Sequence, residues 1–316
     1  MFTPSQMTPT KPSKGPCHVG TSSTNAPSAA PDITLAGKHV LITGGTHGIG
    51  YATVVACLDA GANVTLVARN SDDVLRRTKE LTDAHGDGRV NGIVGDVSDA
   101  AGVVSFFDAA EQRHGRIDGV VNSAGVYGPI GPITEIEPSA WADVIRINLF
   151  GTFLVTREAC RRMKTAGGGR ISLFSGGGAA SPFPNYTGYA SSKAAVVRLA
   201  ETVAIEMAPF GIEINAIAPG FVLTRLHDQT VAAGALAGDF LGKTIDVMKS
   251  GGVPASVGAN AAAFLVSDAA AGITGKFVAA PYDDYRNWLS HRTEIESMDV
   301  FTLRRIVPRE RGLDWQ

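Results

Sequence analysis

What most constrains this chain is an alternation that begins at residue 38. The short apolar runs HVLIT, NVTLVA, VNGIVGD, IDGVVNSAG, RISLFS and IEINAIAP are separated by stretches long enough for helices. YATVVACLDAGA follows the first run, and SDDVLRRTKELTDAHG opens on a good capping residue. SDAAGVVSFFDAAEQRHG gives a third helix, a long one is expected from about Ser139 to Ala166, and another runs to about Ala208. Strands that are apolar on both sides must be covered on both faces, and parallel strands need helical crossovers. The expectation is an α/β fold, a doubly wound parallel sheet in a single domain with right-handed crossovers.

That domain is expected over residues 33–280, after a disordered tail at 1–32 and before a C-terminal extension at 281–316. The tail is rich in Ser, Thr and Pro and has no apolar stretch, which excludes a secretory signal. Its lack of acids before Asp32 is like a transit peptide, but it has no arginine, so disorder is the better reading. The segment from about Leu223 to Gly252 is Ala- and Gly-rich, and reads either as a lid above the strand ends or as a plain surface helix pair.

Across 316 residues the formal charge is −2, which gives no bulk attraction to nucleic acid or an anionic membrane. No apolar run is long enough to span a bilayer. The three cysteines, Cys17, Cys57 and Cys160, have no metal-ligand spacing, so no metal is expected and the setting is read as reducing and cytoplasmic.

TGGTHGIG, Thr43 to Gly50, joins the first strand to the first helix. Its glycines let backbone N–H groups approach a pyrophosphate at a helix N-terminus, as in a Rossmann-like dinucleotide fold. The second strand ends in Ala68 where a ribose-binding acid would repel a 2′-phosphate, and Arg69 follows with a guanidinium that pairs with phosphate. His47 can assist if protonated. NADP(H) is therefore expected over NAD(H).

Tyr189 and Lys193 in YASSK stand four apart and share a helix face. A free phenol titrates at about 10, and a neighbouring ammonium lowers it toward a useful acid or base. A hydroxyl near the substrate oxygen would stabilise developing negative charge, and Ser175 at the end of the fifth strand is placed for that. Ser191, Ser192 and Tyr186 read as bystanders.

These motifs together resemble the short-chain dehydrogenases/reductases, in a compact single-domain form with an SGGG variant at the serine. The resemblance runs from about Gly37 to Gly275 and rests on TGxxxGIG, GDV, NSAG, RINLFG, YASSK and APGFVLT, in order. It implies that Gly44, Thr46, His47, Gly48, Ile49 and Gly50 hold the cofactor phosphates, and that Asp96 and Val97 meet the adenine. Asn122, Ala124 and Gly125 follow the fourth strand, and Pro219, Gly220, Val222 and Thr224 lie beside the nicotinamide, with Tyr189 and Lys193 also touching the cofactor. Asn148 would complete a proton relay to Lys193. The usual serine lies thirteen positions before the tyrosine, which here is Gly176. Ser175 is fourteen before, and the glycines after it are expected to absorb the offset.

The resemblance implies an oxidoreductase interconverting a ketone and a secondary alcohol, acting on a small-molecule carbonyl or alcohol substrate as a homo-oligomer, dimer or tetramer. Nucleotide-sugar epimerisation or dehydration, and a non-catalytic cofactor-sensing scaffold, are the alternatives. The C-terminus departs from the family after GITG, and its aromatic tail is expected to cap the active site or wrap a partner subunit.

Overall fold

The computed structural model describes residues 33–315, so the tail expected at 1–32 lies outside the described residues. Seven parallel strands form one sheet in the order β3-β2-β1-β4-β5-β6-β7. They are β1 (His39–Thr43), β2 (Asn63–Ala68), β3 (Val90–Val94), β4 (Gly119–Asn122), β5 (Gly169–Phe174), β6 (Ile212–Ala218) and β7 (Phe277–Ala279). Six are the apolar runs of the sequence. The seventh is too short to show a period and becomes a strand only by pairing Ala216 with Phe277 at the sheet edge.

Helices α1 (Gly48–Asp59), α2 (Ser71–His85) and α3 (Ala100–His114) follow the first three strands. Asn70 caps α2 by accepting from Asp73 N–H at 2.8 Å, and Gly86, at φ +91°, ends it. The long helix expected near 139–166 is present as α4 (Pro138–Ile145) and α5 (Gly151–Ala166), joined by a π turn at Arg146–Phe150. Next come α6 (Thr187–Met207), then α7 (Arg225–Ala233) and α8 (Asp239–Ser250) in the segment with two readings, and α9 (Ala255–Leu265). Among the described residues no helix is long and apolar enough to cross a membrane.

Side-chain alternation along the strands divides the core in two. Val40 and Ile42 of β1, Val121 of β4 and Phe174 of β5 pack with Val54 and Leu58 of α1 and Phe264 and Leu265 of α9. Leu41, Val120, Ile171 and Leu173 face the other way, onto Phe106 and Phe107 of α3, Val155 of α5 and Val196 of α6. The chain leaves β1 toward β3 and then crosses back to β4 beside β1. This reversal opens a crevice at the carboxyl ends of β1 and β4.

The C-terminal extension is part of this body. Tyr285, Trp288 and Ile295 join the α1–α9 side of the core. Trp288 stacks on Phe301 with centroids 4.1 Å apart. Phe277 N–H donates to the Phe301 carbonyl at 2.7 Å, and Leu303 N–H to Glu201 of α6 at 2.6 Å, so the extension covers the open edge of β7. Trp315 stays exposed. Trp288→Ala is expected to lower the unfolding free energy by about 3–5 kcal/mol, read from denaturant melts. A loss under about 1 kcal/mol would mean that the extension is decoration.

Candidate active site

A cavity of about 830 Å³ lies at the crevice. Gly44, Thr46, His47, Gly48, Ile49 and Gly50 line it from the turn after β1. Gly48 sits at φ +53°, and a Cβ on Gly50 would collide with the Gly44 carbonyl, so this turn exists only with glycine. The turn brings bare backbone to the N-terminus of α1, a cradle that fits a pyrophosphate. Arg69, Asp96 and Val97 line the next part, and Ala124 and Gly125 follow β4. Pro219, Gly220, Val222 and Thr224 close the far side.

Asn122 is not part of this lining. It lies buried below the crevice, where it accepts from Thr43 Oγ1 and donates to Thr152 Oγ1 at 2.7 Å. His47 is held below the ordinary histidine range, first by burial and then by Arg225, so it is neutral near pH 7. Asp96 accepts from the Ser98 N–H and hydroxyl, both at 2.8 Å. Burial raises its carboxyl, but these bonds and the Arg69 charge outweigh that and hold it below the usual range.

Tyr189 reaches the cavity from the first turn of α6. Lys193 is buried one turn on, with Nζ donating to the Phe174 carbonyl at 2.8 Å and lying 5.7 Å from the Tyr189 ring centroid. Burial pushes the Tyr189 phenol up to about 12 and the Lys193 amine down to about 8. For the side chains alone, the direction set by burial is opposite to the lowering expected from the lysine. Desolvation dominates because the amine is turned onto a backbone carbonyl.

Asn148 sits in the π turn, fully buried. Its Oδ1 accepts from Val126 N–H at 2.9 Å, and its Nδ2 donates to the Val126 carbonyl at 2.9 Å and to Ser192 Oγ at 3.0 Å. A Cβ on Gly125 would stand 3.3 Å from Asn148 Oδ1 and 3.4 Å from Lys193 Nζ, so both groups border one point.

Ser175 is not brought to the cavity. Its hydroxyl is buried and donates to the Lys193 backbone carbonyl at 2.8 Å. Successive residues of an extended chain point to opposite faces, so a one-residue offset reverses the side chain. Gly176 does not absorb that offset, because its backbone is extended at φ 175° and ψ 171°. Gly176 is what borders the tyrosine: a Cβ there would stand 2.6 Å from Tyr189 Oη.

Several residues here escaped the sequence reading. Ser192 and Tyr186 have structural partners: Ser192 links Asn148 to the Tyr189 carbonyl at 2.7 Å, and Tyr186, fully buried, donates to Thr230 at 2.9 Å. The α7–α8 pair forms a wall of the cavity through Leu226, His227, Phe240 and Lys243. Phe183, Phe221 and Phe240 pack there, with Phe183–Phe240 centroids 4.6 Å apart. Asp73 also lines the cavity, paired with Arg76 at 2.7 Å and 3.9 Å from Arg225. No motif announces the residues of α7 and α8 or Asp73, because tertiary packing brings them to the cavity.

Residues 38–234 match the family model for short chain dehydrogenase. D-threitol dehydrogenase of Mycolicibacterium smegmatis is 37% identical over 244 residues, covering 77% of this chain and 91% of that protein. An actinorhodin polyketide ketoreductase variant solved with NADPH superposes with a TM-score of 0.70 at 27% identity, over 77% of this chain and 94% of its own. An NAD⁺-bound xylitol dehydrogenase does so with a TM-score of 0.71 at 25% identity, over 77% and 97%. With the glycine turn, the crevice and the tyrosine–lysine helix in one place, the chain belongs to the short-chain dehydrogenase family of nicotinamide-dependent oxidoreductases.

Proposed function

We propose that the protein is an NADP(H)-dependent oxidoreductase that interconverts a ketone and a secondary alcohol, with Tyr189 as general acid and base. The observation that carries this reading is the Tyr189 phenol at the cavity wall, one helical turn from the buried Lys193. The bound nicotinamide would supply or accept the hydride. With its phenol raised, Tyr189 is protonated at neutral pH and ready to protonate a carbonyl oxygen. Lys193, at about 8, is mostly charged there, opposes the phenolate left behind, and can release and regain a proton. Asn148 Oδ1 borders the same point and would assist that return. The glycine turn would hold the phosphates.

The choice of NADP(H) is supported by Arg69 and Arg225, which line the adenosine side of the cavity. Asp73 opposes it but is already paired with Arg76. The half-buried rings of Phe183, Phe221 and Phe240 suit an apolar, ring-sized substrate body. A homo-oligomer is part of the same proposal, supported by Phe150 and Phe153, stacked 6.0 Å apart and exposed at the start of α5. So is a reducing cytoplasmic setting, supported by the free, buried thiols of Cys57 and Cys160.

Titration with NADPH and NADH, followed by nicotinamide fluorescence, is expected to show tighter NADPH binding. Arg69→Ala should weaken NADPH alone, by about tenfold. Equal loss for both cofactors would contradict the 2′-phosphate contact. On a panel of cyclic and aryl ketones, Tyr189→Phe should lower kcat by at least about 100-fold. Because a phenol raised to about 12 must ionise before it can act as a base, alcohol oxidation should accelerate with pH from 7 to 10, while ketone reduction should not. An oxidation rate flat over that range would remove Tyr189 as the base.

A third test separates Ser175 from Gly176. Ser175→Ala should cost about 1 kcal/mol of stability and leave kcat within about threefold. Gly176→Ala should displace the Tyr189 hydroxyl and lower kcat with NADPH affinity intact. The reverse pattern would return the catalytic role to Ser175.

A further inference from the structure

Reduction of a carbonyl needs a proton donor and gains from a second hydrogen bond to the oxygen as negative charge develops. The end of β5 does not provide it: Ser175 is turned onto the Lys193 carbonyl, and Gly176 has no side chain. Another tyrosine packs against Tyr189. The Tyr127 ring meets the Tyr189 ring edge to face, with centroids 4.7 Å apart and planes at 88°, and both line the cavity.

Tyr127 is held by a histidine. Its Oη lies 3.2 Å from His227 Nε2, and among the described residues this is the hydroxyl's one hydrogen bond. The direction of that bond follows from the other ring nitrogen. His227 Nδ1 accepts the Thr224 backbone N–H at 3.3 Å, in the capping box that starts α7. Burial keeps the imidazole below its ordinary range and so neutral near pH 7. A neutral ring accepting at Nδ1 carries its proton on Nε2, and donates it to the phenol oxygen. The phenol hydrogen is then free for an acceptor in the cavity.

Resting on the oxidoreductase reading above, we infer that Tyr127, oriented by His227, donates the second hydrogen bond to the substrate oxygen, the place that the glycines after β5 leave without a side chain. The donor thus comes from the loop after β4 and is aimed by α7. Because the phenol is fixed by a histidine of α7, substrate recognition and the seating of α7 act together.

The test is steady-state kinetics on the ketone panel with the full chain, its Tyr127→Phe and His227→Ala variants, and the double variant. NADPH titration of each reports whether fold and cofactor site are intact. Tyr127→Phe keeps the ring and its packing, so its effect reads the hydroxyl. The expected result is a fall in kcat of about 10- to 100-fold, with NADPH affinity within about twofold. His227→Ala should lose part of that, and the double variant should be no worse than Tyr127→Phe, since the histidine acts through the phenol. Wild-type activity with Tyr127→Phe kcat within about twofold overturns the inference alone, as does full additivity of the two losses. A wild type that binds NADPH but reduces no ketone overturns the proposed reaction and this inference with it.

Discussion

The geometry of the cavity depends on the hydrogen bonds of one buried carboxamide. Asn148 closes two bonds onto the backbone of Val126 and a third onto Ser192, which in turn bonds the carbonyl of Tyr189. The Asn148 backbone carbonyl accepts from Thr152 at 2.6 Å, Thr152 accepts from Asn122, and Asn122 from Thr43. The line of contacts runs from β1 through β4 and the helix to the tyrosine. Each buried polar group left unmatched would cost about 1–3 kcal/mol, so the network favours one arrangement strongly over any partial one. The π turn at Arg146–Phe150 carries Asn148 at its middle, and such turns recur where a helix must aim a side chain at a site.

A second constraint is the parity of the chain leaving β5. Leu173 faces the α6 side, Phe174 the α9 side, and Ser175 the α6 side again, where it meets Lys193. A side chain at Gly176 would instead meet the tyrosine hydroxyl. Glycine there removes both a donor and a volume. The cavity gains room beside the Tyr189 hydroxyl.

Electrostatically the site is poised by burial more than by pairing. Tyr189 and Lys193 both move toward their neutral forms because water is excluded from them. The lysine charge is anchored on the Phe174 carbonyl. Around Asp73 the balance differs: Arg76 pairs with it and Arg225 lies 3.9 Å away, and Arg225 adds to burial in holding His47 below its ordinary range.

The sequence by itself determined the layers of the fold, six of the seven strands, the glycine turn, and the tyrosine–lysine pair. All of these are local: a period of two or 3.6 residues, a glycine that no other residue can replace, or a spacing of four on one helix face. Tertiary structure alone decided the rest. The strand FVA exists because β6 offers an edge, and Trp288 is buried because the chain returns to cover that edge. Ser175 read as catalytic from its place near a strand end, but which face a residue takes is set by register, and register is set by what the sheet packs against. Tyr127 and His227, one hundred positions apart, meet only after β4 and β6 have been brought into one sheet. No pattern along the chain marks such a pair, because its distance is fixed by the crossovers and not by the sequence between them.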